Sequence, residues 1–446
     1  LFPLATKVGR SRWAGVGAVF LAGLLFQMPM YYVNWGRYTQ LAGQVILPIA
    51  ILVLWTILES DQIDWKLIGL SWVTIAGLAL THYRVLIFSL LFLVAYPIAF
   101  PVTIKNRFLN YIKKYFWIGC GAGLLFLPWL VHVFAGQIPD TFFDQITTPA
   151  SNLSAFSQQY NSVGDLSIYL PDIVWLLAPI VFGWGTWRRD KGFALIALWW
   201  FLIYLAANPE QLNMPGAGAI SNFAVFIAAY LPISILFGTS LSWIVEFGHD
   251  RLRIWRSGNG RGEKSLVLIA ASFLALGLFV LGLWGAREQT RELNVIQHAL
   301  VARPDIRAAN WIRESIPQEA RFLVNSFFAY GNSLAVGSDA GWWLPLLAER
   351  ATTLPPINYG SETGPIPQYR EWINELIIEI QAEGINSQKV LKALSARKIT
   401  YLYVGQRQGS VNYSGPDLIN PELALRSSHF IPVYHQDKVW IFKVIQ

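Results

Sequence analysis

Long apolar runs alternate with short polar stretches over the first two thirds of the chain. A membrane-spanning helix needs about 20 mostly apolar residues, with about 17 a practical minimum. Nine stretches meet that pattern: 13–33, 43–58, 66–82, 84–101, 115–136, 167–187, 191–207, 219–246 and 264–286. The pair around "THYRV" also reads as a broken hairpin. After residue 286 the pattern changes. "PDIRAANWIRESIP" and "PQYREWINELIIEIQAEG" carry helical periodicity, the second closed by Gly384, and "SQKVLKALSARK" has Ser387 placed as an N-cap. "REQTRELNVIQHALVA" is helical by period and continues the last span outward. "ARFLVNS", "ITYLYVG", "HFIPVYH" and "KVWIFKVI" read as strands. The expected architecture is an α-helical polytopic membrane protein of about nine transmembrane helices (residues 1–286) with a C-terminal extracytoplasmic α/β domain (287–446).

Composition agrees. The chain is 54% hydrophobic and only 14% charged, with a mean hydropathy of +0.40, whereas soluble domains carry about 25% charge. The net charge of +7 could suggest nucleic acid, but the basic residues sit in alternate short loops. With the N-terminus in the cytoplasm, inside segments hold sixteen: Lys7, Arg10, Arg12, Lys66, Lys105, Arg107, Lys113, Lys114, Arg188, Arg189, Lys191, Arg251, Arg253, Arg256, Arg261 and Lys264. Outside loops between spans hold only Arg37 and Arg84. That asymmetry predicts a multi-pass plasma-membrane protein with its C-terminal domain outside the cytoplasm, and no nucleic-acid partner. The single cysteine, Cys120, excludes an intrachain disulfide.

The remaining ionisable residues choose a face. Arg37, His82, Arg84, His132, Asp140, Asp144, Asp165, Asp172 and Glu210 all fall near the outer ends of the runs, and none lies in the middle of a span. Ion and proton paths need such central groups, so transport is a poor explanation. Chemistry, if present, belongs at the outer surface.

One segment of the C-terminal domain, "GSDAGWWLPLLAERATT" (337–353), brings in a family. The architecture resembles glycosyltransferase superfamily C, whose members use polyprenyl-linked sugar donors. Oligosaccharyltransferase catalytic subunits of that superfamily carry a "WWDYG" segment, with an Arg eleven residues after the Asp and then Thr. Here Asp339 is followed by Gly341, by Arg350 eleven residues on, and by Thr352 and Thr353. The departures are Gly337 and Ser338 in place of the tryptophans, and Ala340 in place of the Tyr; Trp342 and Trp343 follow the Asp instead. The motif likeness covers residues 305–355. Members also keep an acid in the first large outer loop, which "NWGRYTQLAG" lacks, so the resemblance implies that this chain is the C-terminal portion of a longer enzyme.

Such a resemblance implies transfer of a sugar from a polyprenyl-(pyro)phosphate donor to an acceptor at the outer face. A carboxylate must serve as base, with Asp140, Asp144 and Glu210 the candidates. Positive charge, or a bound divalent ion that Asp140 and Asp144 could hold, must stabilise the departing phosphate. Arg37, Tyr38, His82 and Arg84 are the donor-phosphate candidates, because guanidinium forks bind phosphate with two parallel bonds; "HYR" would place two cations at headgroup level. Asp339, Trp342, Trp343 and Arg350 are the acceptor-wall candidates. The same Asp339 and Arg350 equally suit a structural role, capping the two ends of "AGWWLPLLAER". The alternative function is a non-catalytic membrane subunit that keeps the fold within a larger complex.

Overall fold

The computed structural model describes residues 1–101, 105–134, 161–256, 262–330, 332–360 and 364–445. The chain divides into two compact units, a helical one running to Leu293 and a second from Asn294 onward. The boundary falls seven residues beyond the one expected from the hydrophobic pattern, because the last long helix outruns its apolar stretch to Glu292.

In the first unit the helices are α1 (Phe2–Gly9), α2 (Arg12–Phe20), α3 (Met28–Asn34), α4 (Tyr38–Glu59), α5 (Trp65–Thr81), α6 (Tyr83–Ala99) and α7 (Lys105–Phe134). After them come α8 (Asp172–Arg188), α9 (Lys191–Ala207), α10 (Asn222–Phe226), α11 (Tyr230–Arg256) and α12 (Gly262–Glu292). Among the described residues, three helical stretches are long and apolar enough to cross a membrane: Tyr38–Glu59, Phe108–Val133 and Asn222–Gly248. A bent pair, Arg12–Leu25 with Met28–Asn34, passes as a fourth, and α5, α6 and α9 are shorter apolar helices. The 41° bend follows from a π turn at Leu21–Leu25 and from Pro29, which lacks an N–H, in the first turn of α3.

Within residues 1–12, expected as a basic cytoplasmic segment, Phe2–Gly9 form α1 and Arg12 opens α2. Leu4, Ala5 and Val8 share one helical face and are buried, and Arg10 ends the helix in the left-handed region (φ 52°). Lys7 meets Glu59 at 2.5 Å, so its charge is turned toward the far end of α4. Caps fix other starts: Asp64 accepts from the Lys66 N–H (2.9 Å) at α5, and Asp190 from the Phe193 N–H (2.8 Å) at α9.

Helix α2 lies closely along α11 through small residues. A Cβ on Gly238 would come within 2.6 Å of the Ala14 carbonyl oxygen and the Ala18 nitrogen, and one on Gly17 would lie 3.1 Å from the Gly238 Cα. Close backbone approach of this kind supplies the dispersion contact that drives helix association where lipid removes the hydrophobic gain. Gly238→Val is therefore expected to force the two helices apart. It should cost about 1–3 kcal/mol as an overpacked core change does. Thermal unfolding of the detergent-purified protein should show a fall of several degrees, and an unchanged midpoint would contradict this packing.

In the second unit a five-stranded sheet has the order β4-β1-β5-β7-β6, with β1 (Arg321–Val324), β4 (Ala351–Thr352), β5 (Tyr401–Val404), β6 (Phe430–Gln436) and β7 (Val439–Val444). β1 pairs parallel with β4 and β5, while β7 runs antiparallel to β5 and β6. A separate hairpin pairs β2 (Ser326–Ala329) with β3 (Leu334–Gly337). The helices of this unit are α13 (Val295–His298), α14 (Arg303–Ser315), α15 (Leu344–Leu347), α16 (Tyr369–Glu383), α17 (Gln388–Ala396) and α18 (Pro421–Leu425). The core joins the sheet to the inner faces of α14, α16 and α17, through residues such as Ile312, Phe322, Ile377, Leu394 and Phe442.

Candidate functional site: a cationic cluster in the helical unit

Helix α4 opens on Arg37, at its N-cap, and its first three turns carry Gln40 and Gln44 on the same face, three and seven residues on. Both glutamines are buried, in a helix otherwise almost wholly apolar. Gln44 is held on both sides: it donates to the Tyr32 hydroxyl, and its Oε1 accepts from the Tyr230 hydroxyl at 2.9 Å. The Tyr32 hydroxyl donates in turn to the Ile227 carbonyl at 3.0 Å. These bonds lock α3, α4 and the start of α11 together, and buried amides satisfied in this way rigidify their surroundings.

Gln40 is different. It is 1% exposed, and its Oε1 accepts from the Arg37 Nη1 at 3.4 Å, yet its Nε2 has no hydrogen-bond partner among the described residues. The Arg37 guanidinium lies over the Phe223 ring at 4.9 Å. At the break between α5 and α6 the backbone of His82 is extended, so "HYR" turns the chain back sharply. The His82 ring stacks on Tyr83 (5.7 Å), and the Arg84 guanidinium sits 5.3 Å from the Tyr83 ring centre. Arg84 and Arg37 both lie close enough to His82 for their charges to act on its ring. The Nδ1 of His82 and the Nε of Arg84 are likewise buried without a hydrogen-bond partner among the described residues.

The wall behind Arg37 is fixed by three asparagines. Asn208 and Asn222 exchange side-chain amide bonds of 2.7 and 2.8 Å, and Asn222 takes further bonds from its N–H to Asn161 Oδ1 (2.7 Å) and from its Nδ2 to the Asn161 carbonyl (2.8 Å). Asn161 Nδ2 closes the set on the Ala207 carbonyl at 2.8 Å. All three are buried. They tie the end of α9 to the start of α10, whose Phe223 carries Arg37.

Tyr38 is 60% exposed, with its hydroxyl 3.5 Å from the Val33 carbonyl. Glu210 lies in the single turn Pro209–Leu212 that follows α9. Asp140 and Asp144 lie outside the described residues. No group of three or more His, Cys, Asp or Glu converges among the described residues.

In the second unit, Asp339 is fully buried and accepts from Asn325 Nδ2 (3.1 Å), the Gly341 N–H (2.9 Å) and the Gly405 N–H (2.9 Å). It caps the short turn Ala340–Trp343 and ties it to the ends of β1 and β5. Arg350 is also buried, and donates to the carbonyls of Ala348 (3.0 Å), Arg313 (3.1 Å) and Ile316 (2.6 Å), holding α15 to the end of α14. Trp342 donates its indole N–H to the Pro355 carbonyl at 2.8 Å, and Trp343 is 44% exposed. Of the four acceptor candidates, only Trp343 presents a large free face.

Sequence reasoning selected Arg37, His82 and Arg84 by the scarcity of outer charge, and their proximity is visible in how they act on one another. It passed over Gln40 because an amide adds no charge. The available signal was its spacing from Arg37 and Gln44 along one face of an apolar helix. No family model matches this chain, and no curated protein sequence matches it, so its functional reading rests on this geometry.

Proposed function

We propose that the first unit is a membrane domain of about nine spans, that the C-terminal unit is extracytoplasmic, and that Arg37, Gln40, His82 and Arg84 bind the phosphate of a lipid-linked sugar. On this reading the protein moves a sugar from a polyprenyl-(pyro)phosphate donor to an acceptor at the outer membrane face. The observation that carries it is a set of buried nitrogens without a hydrogen-bond partner among the described residues, Gln40 Nε2, His82 Nδ1 and Arg84 Nε, beside the Arg37 and Arg84 guanidiniums in an apolar helical unit. Burying donors without acceptors is costly, and an anionic oxygen would satisfy them. The guanidiniums would also stabilise charge on the departing phosphate.

A second reading, a non-catalytic membrane subunit, is favoured by one observation. The Asp339 carboxylate and both terminal nitrogens of Arg350 are spent on bonds within the second unit, which gives the segment at 337–353 a framework role. One experiment separates the two. The protein, reconstituted in liposomes, is given a radiolabelled polyprenyl-phosphate sugar, and both retention and turnover are followed. Retention with turnover is expected. Retention without turnover, with acceptor peptides and glycans supplied, would select the subunit reading, and no retention would reject both the donor site and the enzyme.

A further inference from the structure

Helices α8, α9 and α11 enclose a cavity of about 300 Å³ that the phosphate reading leaves unused. Its walls include Trp175 and Ala178 from α8, Ala197 and Trp200 from α9, and Phe226 and Ile233 from the α10–α11 segment. They are apolar almost throughout. The Trp175 indole N–H is already given to the Leu166 carbonyl at 3.0 Å, so even that polar atom is spent. Beyond it the lining offers only the Trp200 indole and the Tyr204 hydroxyl, so water finds few partners in such a space, and an empty one forfeits the dispersion contacts of its lining. Phe201 both lines the cavity and is half-exposed, and Ile173, Leu176 and Ile180 of α8 present further apolar surface outward. The cavity therefore has a sideways mouth toward lipid.

One of its wall residues, Phe226, connects to the cationic cluster through packed rings. Phe226 stacks on Tyr169 (5.6 Å), Tyr169 meets Phe223 edge-on (6.2 Å), and Phe223 carries the Arg37 guanidinium (4.9 Å). An apolar slot and an anion site joined by two aromatic contacts match an amphiphile with a phosphate head and a hydrocarbon tail. We infer that this cavity seats one hydrocarbon chain of the phosphate-bearing lipid whose head lies at Arg37 and Arg84. The inference rests on the phosphate reading above and adds where the tail goes.

Binding in nanodiscs tests it, with inorganic phosphate, dodecyl phosphate and farnesyl phosphate as probes. Ala178→Phe and Ala197→Phe fill the slot from opposite walls, at positions only partly buried, and touch none of the cationic cluster. Each is expected to weaken farnesyl phosphate about tenfold, the equivalent of displacing about two buried methylenes. Inorganic phosphate should change less than about twofold, which also shows that the fold and the head site survive. Equal losses for dodecyl and farnesyl phosphate mark a slot for any chain, and a larger farnesyl loss marks an isoprenoid slot; both support the inference. Unaltered farnesyl and dodecyl binding in both variants would overturn it. Failure of the phosphate reading looks different: the wild-type protein would ignore inorganic phosphate, while farnesol would still bind and still be lost on filling the slot.

Discussion

Asp339→Ala is expected to unfold most of the second unit. Among the described residues the carboxylate is the acceptor for three buried donors, Asn325 Nδ2 and the N–H groups of Gly341 and Gly405. Each orphaned buried donor costs about 1–3 kcal/mol, and a total of about 3–5 kcal/mol would remove much of an ordinary domain's stability. Hydrogen exchange should report it as lost protection of the β1 and β5 amides, with the helices of the first unit unaffected. Protected strands in that variant would mean that the hub is dispensable.

The same residue predicts a pH dependence. Burial pushes its carboxyl up to about 6, against the opposing pull of its three hydrogen bonds. The folded state therefore holds a proton that the unfolded chain releases near 3.8, so this contribution is fully present below about pH 4 and is lost as pH rises through about 6. The gap corresponds to about 3 kcal/mol. Asp417, raised by burial as well, acts in the same direction. Asp339→Asn keeps the shape and one acceptor but cannot titrate. The stability difference between wild type and Asp339→Asn should shift in favour of the wild type as pH falls from 7 to 4.5, read from exchange corrected for intrinsic rates. A constant difference would show that Asp339 keeps its ordinary pKa.

The second unit was readable where one rule governed a segment. "RFLV" is β1 because a short apolar run suits a strand buried on both faces, and its burial is nearly complete. Helix α17 starts where Ser387 said it would, its hydroxyl accepting from the Val390 N–H at 3.2 Å, and α16 stops at Gly384 with φ of 77°. The β2–β3 hairpin was missed, although the polar break between "SFFA" and "LAVG" offered a turn signal; its turn uses left-handed conformations at Tyr330 and Asn332. β4 has two residues, too few for any period to register. The expected outward continuation of the last span is real only to Glu292, because Asn294 then caps a new short helix, accepting from the Gln297 N–H at 3.0 Å. In the helical unit, hydropathy located the apolar runs but not where they bend. Charge counting found Arg37 and Arg84 but took only basic charge from residues 1–12, because the buried face of α1 is hidden among basic neighbours. The approach of Arg37 to His82 joins positions 45 residues apart, and no local pattern carries that.

The largest functional effect is expected from the two arginines together. Arg37→Ala or Arg84→Ala should each weaken a lipid phosphate by about 10- to 100-fold, because a charged hydrogen bond to phosphate contributes about 1.5–3 kcal/mol. Arg84→Lys should recover only part of the loss, since an ammonium cannot make two parallel bonds. His82→Gln should cost less than about threefold, because the amide still offers the phosphate a hydrogen bond. That ordering distinguishes the present reading from simple attraction to a membrane surface, in which any outer cation would count equally and salt would abolish the effect. The double variant tests whether the arginines share one phosphate. If they do, removing the second after the first should cost markedly less, or markedly more, than removing it alone, as contacts to a common partner are not additive. Strict additivity, with His82→Gln as damaging as Arg84→Ala, would mean that the cations serve separate lipids, and the donor site would have to be sought elsewhere in the chain.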